Sequence, residues 1–166
     1  GWSMDILLAE IAALYSAFAT YETPALPELA IQYADFALWQ SKVAATGYYE
    51  RQLGYWKRQL ANVPVLQLPT DKLRPAVVDM RGRVIHFTFD VQLTAAIKQL
   101  AQANGATLYQ TLLAAFQLLL ARYCGQNDIA TGSPIANRQY AELEPIIGFF
   151  VNTLVMRSQL DLSQSF

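Results

Sequence analysis

The sequence has few of the residues on which metal sites, disulfide frameworks and charged surfaces depend. Its 166 residues include one cysteine, Cys124, and one histidine, His86. A single cysteine excludes an internal disulfide framework and a zinc site built from several cysteines. A single histidine excludes metal sites that need two or more imidazoles. Charged residues make up 15% of the chain, against about 25% in typical domains.

The charges that are present are balanced. Twelve basic and 13 acidic residues give a formal net charge of -1, and no basic run appears, which argues against nucleic acid as a partner. The longest strongly apolar stretch, residues 112–121, is shorter than the roughly 18 residues that predict a membrane span. No signal-peptide pattern is present. We therefore expect a cytoplasmic protein without a membrane partner.

Apolar residues are abundant instead. They make up 54% of the chain, against about 45–50% in typical domains, which excludes intrinsic disorder. Residues 3–20 predict a helix that Ser3 caps and that is apolar on all sides, as a buried helix is. Nothing else in the sequence is large enough to bury it, and the chain lacks an initiator methionine. We expect an internal segment of a longer polypeptide, with some faces covered by other parts.

Periodicity and breaker residues predict an α/β organisation. A mostly helical part covers 1–61, and a linker rich in proline and other breakers covers 62–82. A second part, 83–166, is predicted to form a mixed sheet with helices. The individual elements are helices at 33–44, 49–60, 92–103 and 107–124, strands at 83–89, 128–133 and 147–157, and a polar loop at 134–145. Helix ends are predicted from Asp90, from a Thr107–Gln110 capping box, and from Gly105 and Gly125.

No self-sufficient catalytic constellation is visible. His86 lies in the predicted strand without a nucleophile nearby in sequence, so it is interpreted as structural. Cys124 lies at a helix C-terminus, where the dipole disfavours a thiolate, and Ser133 lacks the glycines of a nucleophile elbow, which favours a turn. Asn152 interrupts an apolar run. It is either a hydrogen-bonded core amide or a polar group that faces a substrate channel.

Four separated motifs nevertheless resemble a single family. Gly1-Trp2-Ser3 looks like the end of a His-His-x-x-x-Asp-Gly motif and the start of the helix after it. Further along come Tyr33-x-Asp35-Phe-Ala-x-Trp39, then Tyr55-Trp56 with Leu68-Pro69-Thr70-Asp71 and Arg74-Pro75, then Ile147-Gly148-Phe149-Phe150-Val151-Asn152-Thr153 with Arg157. In this order they resemble the condensation domains of nonribosomal peptide synthetases.

The resemblance implies a fold and an activity. The family fold is a pair of chloramphenicol-acetyltransferase-like subdomains, and this chain would span the end of the first and the start of the second. Upstream and downstream carrier-protein domains would bring phosphopantetheine thioesters to a tunnel between the subdomains, beside an adenylation domain of the same polypeptide. The acceptor amine would attack the donor thioester to form an amide. No metal and no directly bound cofactor is implied.

The resemblance also assigns roles to residues. The catalytic histidine would lie upstream of Gly1, so no residue of this chain is expected to be catalytic and the segment alone would be inactive. Residues expected beside the active site are Gly1, Trp2, Ser3, Arg138, Asn152 and Thr153, where Arg138 is either a partner of the motif's aspartate or a surface arginine. Residues expected to be structural are Tyr33, Asp35, Trp39, Gly148, Phe150 and Arg157.

Two other functions remain open. The first is a non-catalytic domain of the same fold that recruits a partner enzyme and has lost the histidines. The second is a small free-standing acyltransferase, against which the missing catalytic base and missing start methionine argue. Within the condensation domains, the segment Leu26-Pro27-Glu28-Leu29 resembles domains that accept an L-configured donor.

Overall fold

The computed structural model describes residues 2–73, 75–77, 80–161 and 163. Helices precede strands along most of the chain, and a two-stranded sheet pairs β1 with β2. In chain order the elements are α1 (Trp2–Ala19), α2 (Tyr33–Ala45), α3 (Glu50–Gln59), α4 (Val91–Ala103), α5 (Leu108–Cys124), β1 (Asp128–Ile135), a 3-10 turn (Ala141–Leu143) and β2 (Asn152–Gln159).

The chain forms two compact units. One comprises Gly1–Ala61 with Gly132–Val155, and the other Asn62–Thr131 with Met156–Phe166. The division therefore falls within both strands as well as after residue 61. The subdomain limits 1–61, 62–82 and 83–166 stay a prediction about the complete domain, and each unit is described separately below.

The five predicted helices are confirmed, and so are the signals at their ends. Asp90 accepts a hydrogen bond from the Leu93 N–H at 2.7 Å, which satisfies a free donor of the first turn of α4. At α5, the Thr107 N–H donates to Gln110 Oε1 at 2.8 Å, and the Gln110 N–H donates back to Thr107 Oγ1 at 3.2 Å. Gly125 ends α5 with a φ of 65°, which suits a residue without a Cβ.

Three local predictions are wrong. Residues 83–89 are exposed and belong to no strand, because alternation stabilises a strand only where a neighbour pairs its backbone groups. The last strand begins at Asn152 rather than at 147, since the residues before it pack against α2. Ser133 is a buried residue inside β1 and not a turn residue.

The first unit is organised around an aromatic and aliphatic cluster. Its buried members are Phe36 on α2 and, from the connection between the strands, Leu143, Ile146 and Phe150. The Phe36 and Phe150 rings lie 4.8 Å apart between centroids, and Tyr33 meets Phe150 edge-on at 5.2 Å. Burying one such side chain stabilises a fold by about 1.5–3 kcal/mol. The cluster therefore holds the connection between the strands against α2.

The second unit is held by a buried polar residue as well as by apolar packing. Helices α4 and α5 pack together, and Ile129 of β1 is fully buried. Gln117, also buried, donates to the Met156 carbonyl at 2.9 Å and to Thr131 Oγ1 at 3.1 Å. Its Oε1 accepts from the Ser158 hydroxyl at 2.8 Å. The polar residue that interrupts the apolar stretch of α5 thus ties this helix to β1 and β2.

Helix α1 is not buried by the described part of this chain, in agreement with the expectation that nothing else in the sequence is large enough to bury it. None of its residues is buried by the part of the chain that the structure describes, and Tyr15 and Phe18 are 74% and 66% exposed. The helix has a mean hydropathy of 1.3 and is long and apolar enough to cross a membrane by length and composition. That is weak evidence, because core helices of other proteins meet the same criterion. The described residues cover the apolar face of α1 only in part.

Candidate functional site

The hydroxyl of Ser3 is the centre of the site. It donates to the Gly148 carbonyl at 2.7 Å and accepts from the Gly148 N–H at 3.2 Å. Arg138 Nη2 donates to the same oxygen at 2.9 Å. The predicted N-cap role of Ser3 is therefore wrong: the helix already begins at Trp2, and the hydroxyl bonds a loop 145 residues away.

Arg138 is fixed by four groups. Besides the Ser3 hydroxyl, its guanidinium donates through Nη1 to the carbonyls of Leu143 and Glu144. The guanidinium carbon lies 4.3 Å from the centre of the Phe150 ring, which is cation–π geometry. Arg138 is partly buried and has a defined position, unlike a free surface arginine.

Gly148 lies where no side chain fits. A Cβ atom there would come within 2.3 Å of Tyr33 Cδ2 and 2.9 Å of Phe150 Cε2. The close approach lets the Tyr33 hydroxyl donate to the Phe149 carbonyl at 3.0 Å. Residues that the resemblance marked as structural therefore meet around the loop that Ser3 holds.

The remaining motif residues of α2 act at its N-terminus and on its outer face. The Asp35 carboxylate accepts from the Gln32 N–H at 2.8 Å, closing a capping box at the start of α2. The Trp39 ring packs on Phe36 at 5.9 Å and meets Tyr140 edge-on at 5.6 Å. These contacts orient the helix and one wall of a groove.

That groove has a volume of about 910 Å³ and lies in the first unit. Helices α2 and α3, the connection between the strands and the first residue of β2 line it, with Trp39, Tyr48, Gln52, Tyr140, Leu143 and Asn152 among its residues. Asn152 is exposed, and its Oδ1 accepts from the Thr153 N–H at 2.8 Å. Thr153 is exposed as well and lies beside Gly132. Neither residue contacts the Ser3 cluster through a hydrogen bond given by the structure.

Arg157 belongs to the other unit and pairs with a residue that the sequence did not single out. Its Nε donates to Asp128 Oδ1 at 2.8 Å and its Nη2 to Oδ2 at 2.6 Å. This two-point ion pair joins β2 to β1, and the hydrogen bond from Arg157 lowers the pKa of Asp128 below its usual value. The same bond raises the pKa of Arg157.

The described residues offer no conventional catalytic centre. His86 is exposed, Cys124 is half-buried at the end of α5, and no group of three His, Cys, Asp or Glu side chains in the described ranges could hold a metal ion. Gly1 and Arg74 lie outside the described residues. The arrangement can orient the start of α1 and the loop before β2, and it can present a polar groove.

Comparison with known proteins assigns the chain to a family. The family model for the condensation domain matches residues 1–166. A linear gramicidin synthase of Brevibacillus parabrevis is 49% identical over 167 residues, which cover 100% of this chain and 3% of that protein. The complex of the X-domain and OxyB from teicoplanin biosynthesis contains a chain that is 30% identical, with a TM-score of 0.83 and coverage of 96% of this chain and 36% of that one.

A third comparison bears on the fold alone. The first condensation domain of the CDA synthetase has a TM-score of 0.75 at 22% identity and covers 99% of this chain and 36% of that chain. The chain belongs to the condensation domains of nonribosomal peptide synthetases, so the predicted family and its chloramphenicol-acetyltransferase-like α/β fold are confirmed. It spans only a small part of the synthetase that it matches.

Gly148→Ala should destabilise the protein by about 1–3 kcal/mol, as overpacking does. The new methyl group must displace the Tyr33 ring, which loosens the edge-on contact and the bond to the Phe149 carbonyl. Denaturant unfolding measures the loss. Gly82→Ala is the matched control, because nothing lies within 4 Å of a Cβ there. Equal stability of the two variants would contradict the packing argument.

Asp128→Asn should make the free energy of unfolding less dependent on pH in acid solution. The folded-state pKa of Asp128 lies below its unfolded value, so its contribution is present above about pH 4 and is lost as pH falls through the folded-state pKa. The unfolding free energy of the unaltered protein should therefore fall more steeply than that of the variant below about pH 4. Urea titrations across that range test this, with exposed Asp71→Asn as control. Parallel curves for Asp128→Asn and the unaltered protein would refute it.

Proposed function

We propose that this chain is part of a condensation domain that forms an amide bond between carrier-bound aminoacyl or peptidyl thioesters. The observation that carries the proposal is the 49% identity to a peptide synthase along the whole chain. The Ser3–Arg138–Gly148 cluster supports it, because it fixes the residues that would directly follow the catalytic histidine motif. That motif, His-His-x-x-x-Asp-Gly, would end at Gly1.

The proposed reaction needs no covalent enzyme intermediate. The acceptor's amine nitrogen attacks the donor's thioester carbonyl carbon, a C–N bond forms and the C–S bond breaks. The second histidine of the upstream motif orients or deprotonates the amine, and the proton lost from nitrogen is matched by one gained by the leaving thiolate. Two tethered substrates held in contact gain a high effective concentration. Exclusion of water limits hydrolysis of the thioester.

Arg138 is proposed to pair with the aspartate of the same motif. The aspartate would immediately precede Gly1, only three positions before Ser3, and the Arg138 guanidinium already lies 2.9 Å from the Ser3 hydroxyl. An arginine–carboxylate pair would hold the catalytic loop by a charge-assisted hydrogen bond. Trp2, which begins α1, would border the same loop.

The proposal includes the setting of the reaction. Upstream and downstream carrier-protein domains deliver the phosphopantetheine thioesters, and an adenylation domain of the same polypeptide supplies the activated residue. The phosphopantetheine arm is part of the substrates, so this chain binds no cofactor of its own. The location is the cytoplasm, with no membrane or nucleic acid partner, and the donor is L-configured.

The function is tested with the complete domain and two loaded carrier proteins. Amide product should form with the native chain and should fall at least a hundredfold when the second histidine of the upstream motif is replaced by alanine, since general base catalysis contributes about 10²–10⁴-fold. The isolated segment 1–166 is the second control and should be inert. Turnover by this segment alone, or an intact domain that hydrolyses the donor without forming amide, would overturn the proposal.

A partner-recruiting domain is the second candidate. The likeness to the X-domain and OxyB complex favours it, because a domain of this fold occurs there in a complex. The two functions are separated by the residues before Gly1 together with the turnover assay. An altered histidine motif and no amide formation would favour recruitment.

Asn152→Ala in the complete domain should slow amide formation more than it lowers the melting temperature. The exposed side chain lines the groove of the first unit and accepts a hydrogen bond from the Thr153 N–H. It is not part of a buried core. We expect a loss of about tenfold in kcat/KM and a melting temperature within about 2 °C, since surface changes rarely exceed 0.5 kcal/mol. Gln52→Ala, on the α3 side of the same groove, is the matched control. Parallel losses of activity and stability in Asn152→Ala would show a structural amide.

A further inference from the structure

The Ser3 hydroxyl forms hydrogen bonds with the main chain of Gly148 and with the guanidinium of Arg138. It therefore connects the start of α1 to both residues. It makes one bond as donor and accepts two, with heavy-atom distances of 2.7, 3.2 and 2.9 Å. The hydroxyl is partly buried, so these bonds are sheltered from full competition with water. A hydroxyl can donate once and accept twice, and here its whole capacity is used.

We propose that Ser3 is a positioning residue that sets the location of the catalytic loop through its bonds to Arg138 and to the Gly148 main chain. This inference rests on the proposed function, in which the catalytic histidine motif ends at Gly1. Ser3 does not touch the reacting atoms. It acts through Trp2, the one residue between it and the end of the motif at Gly1, because α1 can shift along its axis only by breaking three hydrogen bonds at once.

The other side of the contact is rigid enough to serve as a reference point. Gly148 is confined by the Tyr33 and Phe150 rings, and Phe150 belongs to the buried cluster of the first unit. Arg138 is anchored independently on the carbonyls of Leu143 and Glu144. The loop that receives the Ser3 hydroxyl is therefore fixed by the core, and the start of α1 takes its position from the loop.

The serine hydroxyl is the group that a substitution can test without disturbing the helix. Ser3→Ala keeps helix propensity and removes all three bonds, whereas Ser3→Thr keeps the hydroxyl. Ser16→Ala is the matched control, because it removes a serine hydroxyl from the same helix 13 residues after Ser3. A displacement of about 1 Å at a catalytic group can reduce a rate by about 10²-fold.

The experiment measures amide formation by the complete domain with both loaded carrier proteins, together with hydrogen exchange of the peptide that contains Gly148. Ser3→Ala should lower kcat at least tenfold with KM for the acceptor thioester within twofold, and Ser3→Thr should recover most of the rate. The ratio of donor hydrolysis to condensation should rise in Ser3→Ala. Ser16→Ala should match the unaltered domain. Exchange at Gly148 should be faster in Ser3→Ala only.

Three results would overturn the proposal. They are a kcat for Ser3→Ala equal to that of Ser16→Ala, a loss in KM alone, or a Ser3→Thr variant as slow as Ser3→Ala. If the unaltered domain forms no amide, the proposed function fails and the positioning role fails with it. Faster exchange at Gly148 in Ser3→Ala would then still show that the Gly148 N–H bonds the Ser3 hydroxyl, which separates the two failures.

Discussion

The contact between Ser3 and the loop of Arg138 and Gly148 fixes the start of α1 within the first unit. Helix α1 has no fully buried residue among those described, so apolar packing covers it only in part. Its start is fixed by hydrogen bonds to one hydroxyl, and the loop in turn depends on the cluster around Phe36 and Phe150. A net hydrogen bond contributes only about 0.5–1.5 kcal/mol to stability. The value of this contact lies in its geometry, because three bonds that meet at one oxygen restrict where the start of α1 can lie.

The helices could be predicted because their signals are local. Apolar periodicity and the end residues Asp90, Thr107 and Gly125 each act within four residues, and the structure has the corresponding bonds. The family could also be predicted from the sequence, because its motifs occur in a fixed order. Local rules were misleading where a residue had a distant partner. Ser3 has the chemistry of an N-cap, but its bonds go to residues 135 and 145 positions away.

The strands and the polar contacts were predicted less well because they also depend on partners that are distant in sequence. Alternation at 83–89 describes a surface that suits a sheet, but a strand also needs a neighbour to bond its backbone. Asp128 gave no signal in sequence, since its importance comes from Arg157 on the adjacent strand. Gln117 did give one: a lone polar residue in an apolar helix needs partners if it is buried. The partners themselves, Thr131, Met156 and Ser158, could be found only in the fold.

Under the proposed function, this chain contributes to catalysis by holding the catalytic loop in place and not by supplying a reacting group. Its described residues supply no base and nucleophile in contact, whereas well-oriented reactants reach effective concentrations of about 10⁵–10⁸ M. Under that function, the Ser3 hydroxyl and the Arg138 guanidinium would hold the catalytic loop in place, and the upstream histidine would supply the chemistry.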